Sequence, residues 1–263
     1  MTQRIHKNSL ENSLRQEGSD FIFRNVHYNR KVIPEVRLLG NLMDNGSNKT
    51  HDRWRQYCRK HPEEGTILSS EMEYQLARKL YALRDVQNFD VQQTRDYCLA
   101  FLREDYIKNY LHTGTKITYR QGGLDAVVNH LELVNKERTS SLQIPEFTCY
   151  NNDWSYLVLA NTQPESALGV VEDIPASAEP VLETLFGEGY EQAGAVWQFV
   201  SQRRRYESLR NVRLLIPTID NRNIEHCVVF GVYGIGSSFE VNAAGSGGSR
   251  PARGWVDNSR RMY

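Results

Sequence analysis

Residues 119–131 read YRQGGLDAVVNHL, where a polar turn with two glycines runs directly into an apolar segment. Asp125 is a residue type that is preferred at helix N-caps. After it, apolar residues recur at the spacing that gives a helix one apolar face, at Val127, Val128, Leu131 and Val134. The stretch therefore predicts a helix that begins at Asp125, with the small residue Ala126 in its first turn.

The composition favours a soluble globular protein with room for one large domain or two small ones. The chain has 263 residues, and its 32 Lys and Arg residues balance its 32 Asp and Glu residues. This balance gives no net field that would recruit nucleic acid or an anionic membrane. No apolar run reaches the roughly 18 residues of a membrane-spanning helix. The sequence thus predicts no membrane span and argues against nucleic acid as a partner.

The cysteines give no support for a metal or redox motif. Cys58, Cys98, Cys149 and Cys227 lie far apart, without a CxxC pair or a Cys/His group at zinc-finger spacing. We therefore expect no metal, no cofactor and a reducing compartment. Residues 1–20 lack the apolar stretch of a secretory signal and are expected to form a flexible leader. Their Ser, Asn and Gln content also suits a non-Sec secretion signal.

Two helices are predicted in the first half of the chain. The first covers residues 69–86 and follows a Ser cap, with Met72, Leu76, Leu80 and Leu83 at helical spacing. The second is expected to be capped by Asp90. Its core-facing stripe consists of Tyr97, Cys98, Phe101, Leu102, Ile107 and Leu111.

Strand patterns dominate the second half. Alternation and β-branched residues predict strands at 154–160, 169–174, 212–217, 226–234 and 238–243, with helices at 179–186 and 193–209. Helices first and an antiparallel sheet later indicate an α+β fold. We divide the chain into the flexible leader 1–20, a mainly helical region 21–115, a core 116–245 and a Gly/Ser/Arg-rich flexible tail 246–263.

Two polar residues on the last predicted strands are candidates for chemistry. His226 and Asn242 are 242 − 226 = 16 residues apart, with a glycine-bearing turn between them. Paired antiparallel strands with that turn bring the two positions roughly opposite each other. An imidazole that acts as a base needs a partner to fix its orientation, and an amide oxygen serves. The simpler interpretation makes His226 a structural histidine and Asn242 a turn residue.

The predicted helix at Asp125 and the two strands that carry His226 and Asn242 together resemble the papain-like cysteine hydrolases, over residues of about 120–245. In that superfamily a Cys at a helix N-terminus follows an oxyanion Gln and meets a His and an Asn on successive strands. The matching residues are Gln121, the position of Ala126, His226 and Asn242. The resemblance implies a papain-like core, with N-terminal helices packed on a C-terminal antiparallel sheet. It also implies similarity to proteases or deamidases that pathogenic bacteria inject into host cells.

The nucleophile position departs from this pattern, because Ala126 carries no thiol. Either an engineered Cys→Ala replacement or a natural pseudoenzyme would account for it. Cys98 is a rival nucleophile, although its place inside a predicted helix is typical of a buried Cys. Cys149 near a turn remains an alternative, and Cys227 points away from the face of its neighbour His226.

The resemblance implies thiol-dependent acyl transfer, by a protease or a glutamine deamidase, on a protein substrate of a host cytoplasm. His226 would pair with the thiolate, Asn242 would orient His226, and Gln121 would help to hold the oxyanion. The alternative is a non-catalytic α+β binding module for a protein or RNA partner. For RNA, the arginine-rich run 202–213 is the candidate contact, or else simply the solvated end of a helix.

Overall fold

The computed structural model describes residues 13–108, 111–132, 136–144, 154–161, 178–201, 211–217, 225–233, 238–246 and 250–258. The strands in these ranges are β1 (Leu14–Glu17), β2 (Asp20–Tyr28), β3 (Lys31–Leu42), β4 (Thr66–Ile67), β5 (Leu111–Tyr119), β6 (Asp125–Leu131), β7 (Glu137–Gln143), β8 (Trp154–Asn161), β9 (Asn211–Pro217), β10 (Glu225–Tyr233), β11 (Ser238–Ser246) and β12 (Arg253–Asp257). The helices are α1 (His51–Lys60), α2 (Ser70–Ala82), α3 (Phe89–Lys108), α4 (Glu179–Phe186) and α5 (Ala193–Ser201).

The strands form two sheets. The small sheet has the order β1-β2-β3-β12-β4, and the large sheet has the order β7-β6-β5-β10-β11-β9-β8. All pairs in the small sheet are antiparallel. In the large sheet β9 and β11 run parallel, whereas the other pairs are antiparallel. The prediction of an α+β fold is confirmed.

Two helices lie between the sheets. Helix α2 contacts β2 of the small sheet and β5 of the large sheet, and α3 contacts β1 and β10 in the same way. Because α2 is covered from both sides, eight consecutive residues, 70–77, are buried. Its N-cap is the predicted one, since the Ser69 hydroxyl accepts a hydrogen bond from the Met72 N–H at 3.2 Å.

Helix α3 is confirmed, but its cap and two residues of its predicted stripe differ, since the helix ends at Lys108 and Leu111 lies in β5. The side-chain oxygen of Asn88, rather than Asp90, accepts hydrogen bonds from the first turn, at 3.1 Å from the Asp90 N–H and 3.3 Å from that of Val91. Tyr97 is 54% exposed instead of facing the core. Cys98 is fully buried, as the alternative interpretation of that residue predicted.

An aromatic cluster around Trp197 marks the centre of the core. The indole ring lies 4.9 Å from the ring of Phe230 in β10, between ring centroids. Tyr74 of α2 and Phe186 of α4 contact the same indole. The cluster therefore ties α2, α4 and α5 to the large sheet by burial of large apolar surfaces.

The predicted flexible ends are wrong where the structure describes them. Residues 14–17 of the leader form β1, and residues 253–257 of the tail form β12, which lies between β3 and β4 with every residue buried. Arg253 in β12 pairs with Asp105 of α3 and donates a 2.7 Å hydrogen bond to the Leu39 carbonyl. The sequence did not predict this strand, because its Gly/Ser/Arg-rich composition is typical of an exposed tail. Arg253 is buried here only because it is paired.

Most of the predicted elements in the second half of the chain are present in the structure, and the others lie outside the described residues. Strands β8, β9, β10 and β11 and helix α4 are confirmed, as is the first part of the helix predicted at 193–209. The strand predicted at 169–174 and most of the arginine-rich run lie outside the described residues. The division at residue 115 is not visible in the structure, since β5 runs across it and β12 joins the first sheet. No helix within the described ranges is long and apolar enough to cross a membrane.

Candidate functional site

The predicted helix at Asp125 is wrong, because residues 119–131 form a β-hairpin. Strands β5 and β6 pair with Tyr119 opposite Ala126. The turn between them is closed by a 3.0 Å hydrogen bond from the Arg120 N–H to the Asp125 carbonyl, and Gly122 has a φ of +61°. Ala126 therefore has no helix N-terminus to stabilise a thiolate.

A period of two governs this segment. Along β6, Ala126, Val128 and His130 are buried, whereas Val127 between them is 39% exposed. The same residues fit a helical face only because two valines are adjacent. A Gly-Gly pair between two alternating runs is a hairpin signal, and it should have outweighed the N-cap signal of Asp125.

The predicted catalytic residues share a sheet but are not brought into one site. Strands β6 and β10 both pair with β5, where Ala126 is opposite Tyr119 and His226 is opposite Ile117. Two strand spacings and two residues along the strand put the Cα atoms of Ala126 and His226 about 12 Å apart. A thiol and its base need to be within hydrogen-bond reach of each other.

Asn242 and Gln121 also lie away from His226. Asn242 pairs with Val229, while His226 pairs with Ser246, because a register shift separates the two halves of the β10–β11 ladder. Gln121 is exposed in the hairpin turn. The group beside His226 is the ring of Tyr119, whose centroid lies 5.3 Å away and whose hydroxyl donates a 2.9 Å hydrogen bond to the Ala243 carbonyl.

The three cysteines among the described residues lack the exposure that a nucleophile needs. Cys58, Cys98 and Cys227 are buried and form no disulfide. Burial raises the pKa of the Cys58 and Cys98 thiols above the ordinary value, which is the opposite of activation. Cys149 lies outside the described residues.

A polar cleft of about 490 Å³ opens at a different place, between the two sheets. Its walls come from the turn between β2 and β3, the first turn of α2, strand β7, and the end of α4 with the loop that follows. The residues that line it are Asn29, Arg30, Glu71, Arg138, Ser140, Glu183, Thr184, Gly187, Glu188, Gly189, Tyr190 and Glu191. Its size lies within the range of small-ligand sites.

An ion-pair network forms the floor of this cleft. Glu71, whose side chain is 4% exposed, pairs with Arg138, and the Arg138 Nε lies 3.1 Å from Glu132 Oε1. Asn29 donates its backbone N–H to Glu71 Oε1 at 2.7 Å and its side-chain amide to Glu132 Oε1 at 2.9 Å. Both carboxylates are thus held by two elements at once, which fixes the shape of the floor.

Burial raises the pKa of the Glu71 carboxyl, and the positive charge of Arg138 opposes that shift. A carboxylate perturbed by burial at the base of a cleft marks a candidate site, although structural ion pairs produce the same signature. Here both oxygens of Glu71 have partners, so it positions the floor rather than acting as a base.

The loop after α4 is fastened to α2 through its carbonyl groups. Gln75 donates its amide to the Phe186 and Glu188 carbonyls at 2.9 and 2.7 Å, and the Tyr74 hydroxyl donates to the Gly189 carbonyl at 2.5 Å. Gly187 has a φ of +71°, and a Cβ there would stand 2.5 Å from Glu71 Oε1. Only glycine fits this position, because the loop packs directly against the Glu71 side chain of the floor.

The cleft carries an excess of negative charge. Four of its lining residues are glutamates and two are arginines. Arg138 forms an ion pair with Glu71, and Arg30 lies 3.8 Å from Glu183. Glu188 has His27 at 2.9 Å, and Glu191 makes no ion pair within the part of the chain that the structure describes. Such a lining attracts a cation and disfavours phosphate.

The sequence prediction missed this cleft. The glycines of FGEGYEQ, residues 186–192, are a local signal for a tight loop, and the glutamates among them suggest an acidic rim. Arg138 has no such local signal, because its importance comes from a contact between residues 67 positions apart. No protein-family model matches the sequence, and no curated protein or solved structure matches it either.

Proposed function

We propose that the chain is a binding module for a protein partner, and that the acidic cleft receives a Lys or Arg side chain of that partner. The observation that carries this proposal is the excess of carboxylates over guanidinium groups around a cleft whose buried glutamate, Glu71, is paired with Arg138. The paired floor fixes the geometry, and the rim carboxylates Glu183, Glu188 and Glu191 are exposed, so an incoming cation reaches them.

The rim is suited to a side chain that arrives from outside. The side chains of Glu183 and Glu188 are both 58% exposed, so a cationic group reaches them without any opening of the core. A cleft of about 490 Å³ holds one or two long side chains rather than a folded segment. Nucleic acid is disfavoured as the partner because its phosphates would face the same glutamates.

The thiol acyl-transfer hypothesis receives less support. It depends on a nucleophile at a helix N-terminus with an imidazole beside it, and position 126 lies in a strand, two strands away from His226. The binding module was the alternative interpretation of the sequence, and the acidic cleft favours it over the enzyme.

Matched peptides test this proposal. The full chain is titrated calorimetrically with a glycine-flanked arginine peptide and with its citrulline counterpart, which has the same shape without the charge. We expect the arginine peptide to bind at least tenfold more tightly, with the difference shrinking as salt rises. Equal binding of the two peptides, or binding of neither, would contradict the proposal.

A further inference from the structure

Two buried histidines, His51 at the start of α1 and His112 in β5, form a second cluster outside the lining of the cleft. They are 7% and 2% exposed, and their ring centroids lie 5.8 Å apart. Among the described residues, Nε2 of His112 has no hydrogen-bond partner, and the ring nitrogens of His51 make no hydrogen bond of good geometry, although the backbone of Gly114 lies near them. Polar atoms that lack good hydrogen bonds in a buried place are costly, at about 1–3 kcal/mol for each unsatisfied group.

His130 shows how this protein treats a histidine that is purely structural. It is fully buried in the neighbouring strand β6. Its Nδ1 lies 2.9 Å from the Thr115 hydroxyl and its Nε2 lies 3.0 Å from the Thr184 carbonyl. Both nitrogens of His130 are therefore satisfied, in contrast to the pair formed by His51 and His112.

The hydrogen bond of His112 determines which of its nitrogens is left for a ligand. Its Nδ1 lies 3.1 Å from the Thr113 carbonyl, which only accepts, so Nδ1 carries the proton. In the neutral ring Nε2 then presents a lone pair. Donation of the second ring N–H to a backbone carbonyl is the arrangement that orients histidines bound to metal ions.

The charge state of both rings fits the same interpretation. Burial lowers the pKa of His51 to about 4, with further lowering by His112 and Lys116. The backbone of Gly114 and the carboxylate of Asp52 oppose that shift, but Asp52 Oδ1 stays 4.0 Å from Nδ1. Burial also lowers the pKa of His112, and Arg250 adds to the effect. Neutral imidazole is the form that binds metal.

We propose that His51 and His112 form a binding site for one transition-metal ion, held by Nε2 of His112 and a ring nitrogen of His51. Two imidazoles that share an ion through bonds of about 2.0 Å have ring centroids about 5 Å apart at a tetrahedral angle and about 6.5 Å apart at a linear one, and the observed separation lies between these limits. Imidazole binds zinc and copper well. Two neutral ligands close to Lys116 and Arg250 favour the singly charged copper(I) over zinc, which usually takes four ligands.

Metal titration of the full chain tests this site. After treatment with a chelator, the protein is titrated anaerobically with copper(I) against a chromophoric competitor, and separately with zinc. We expect one copper(I) ion per chain, weaker binding of zinc, and at least a tenfold loss of copper affinity in His112→Asn. The control variant is His61→Gln, since His61, Glu63 and Glu64 form the one group of three or more possible metal ligands in the described part of the chain.

Loss of binding in His61→Gln, or no binding of either ion at micromolar concentration, would overturn the proposal. If His112→Asn does not fold, the wild-type protein still decides the question through the imidazole nitrogen resonances. Copper(I) should shift Nε2 of His112 and leave both nitrogens of His130 unchanged. If copper(I) does not shift the Nε2 resonance of His112, the metal site is contradicted, and a buried water between the two rings is the simpler explanation.

Discussion

The hairpin hollow, which is lined by residues of β5, β6 and β7 including Ala126, and the acidic cleft are similar in size but differ in construction. The hollow measures about 370 Å³ and the cleft about 490 Å³. Around the hollow, the charged pair Arg120 and Asp125 is exposed and 3.4 Å apart. Under the cleft, Glu71 is buried and held by Arg138 and Asn29. The difference shows that a cavity alone does not define a site, whereas positioned and buried polar groups do.

The largest effect should follow from breaking the floor of the cleft. Arg138→Ala leaves the Glu71 carboxylate buried without its cation, and we expect a loss of about 3 kcal/mol in the free energy of unfolding at pH 7. The exposed hairpin pair supplies the control, because Arg120→Ala should cost less than about 0.5 kcal/mol. Urea denaturation measures both. Equal effects of the two substitutions would remove the distinction between floor and hollow.

Glu73, two residues after Glu71 on α2, is a buried glutamate that does not line the cleft. It therefore shows what burial alone does to a carboxylate. It is fully buried, accepts a hydrogen bond from Tyr106, and lies near Asp105 and Arg253. Burial raises the pKa of Glu73 to about 7, so folding is opposed increasingly as the pH rises from the unfolded value near 4.5 to 7. Glu73→Gln should stabilise the chain by about 2 kcal/mol at pH 8 and by little at pH 5.

Thermal unfolding across pH checks the prediction for Glu73. The matched control is Asp85→Asn, which removes a carboxylate from a side chain that is 83% exposed. A stabilisation by Glu73→Gln that is the same at pH 5 and pH 8 would show that packing, rather than ionisation, is responsible.

The carboxylates of the rim should make a smaller contribution, to binding rather than to stability. Glu191→Gln and Glu188→Gln are each expected to weaken binding of the arginine peptide by up to about fivefold, because a partly exposed charge pair is worth up to about 1 kcal/mol. Asp85→Asn removes one negative charge away from the cleft and should leave the affinity unchanged. If all three variants bind alike, the cleft is not the binding site.

The smallest effect is expected at the hairpin. In Ala126→Cys the thiol would occupy a buried strand position without a helix N-terminus, so burial should keep its pKa at or above that of an ordinary thiol. Alkylation below pH 7 should then be slow, with the same rate after His226→Ala. Rapid labelling that depends on His226 would restore the thiol acyl-transfer hypothesis.

Helices α2 to α5 and strands β8 to β11 were predictable, whereas helix α1, strands β1 to β7 and β12, and the pairing partners were not. Helix α2 and strands β8 to β11 follow from local periodicity and caps, which neighbouring residues determine. The hairpin was missed because VV at 127–128 satisfies two periods at once. The place of β12 and the pairing of Glu71 with Arg138 depend on contacts between distant parts of the chain, and one sequence carries no local signal for them.

The most direct test of the acidic cleft is to map where a guanidinium group binds on the protein. Backbone amide resonances are followed while argininamide is added to the full chain. We expect shifts concentrated at residues 29–30, 138–140 and 187–191, which saturate and weaken with salt. Shifts that are absent at millimolar argininamide, or that cluster around Ala126 instead, would contradict the proposal.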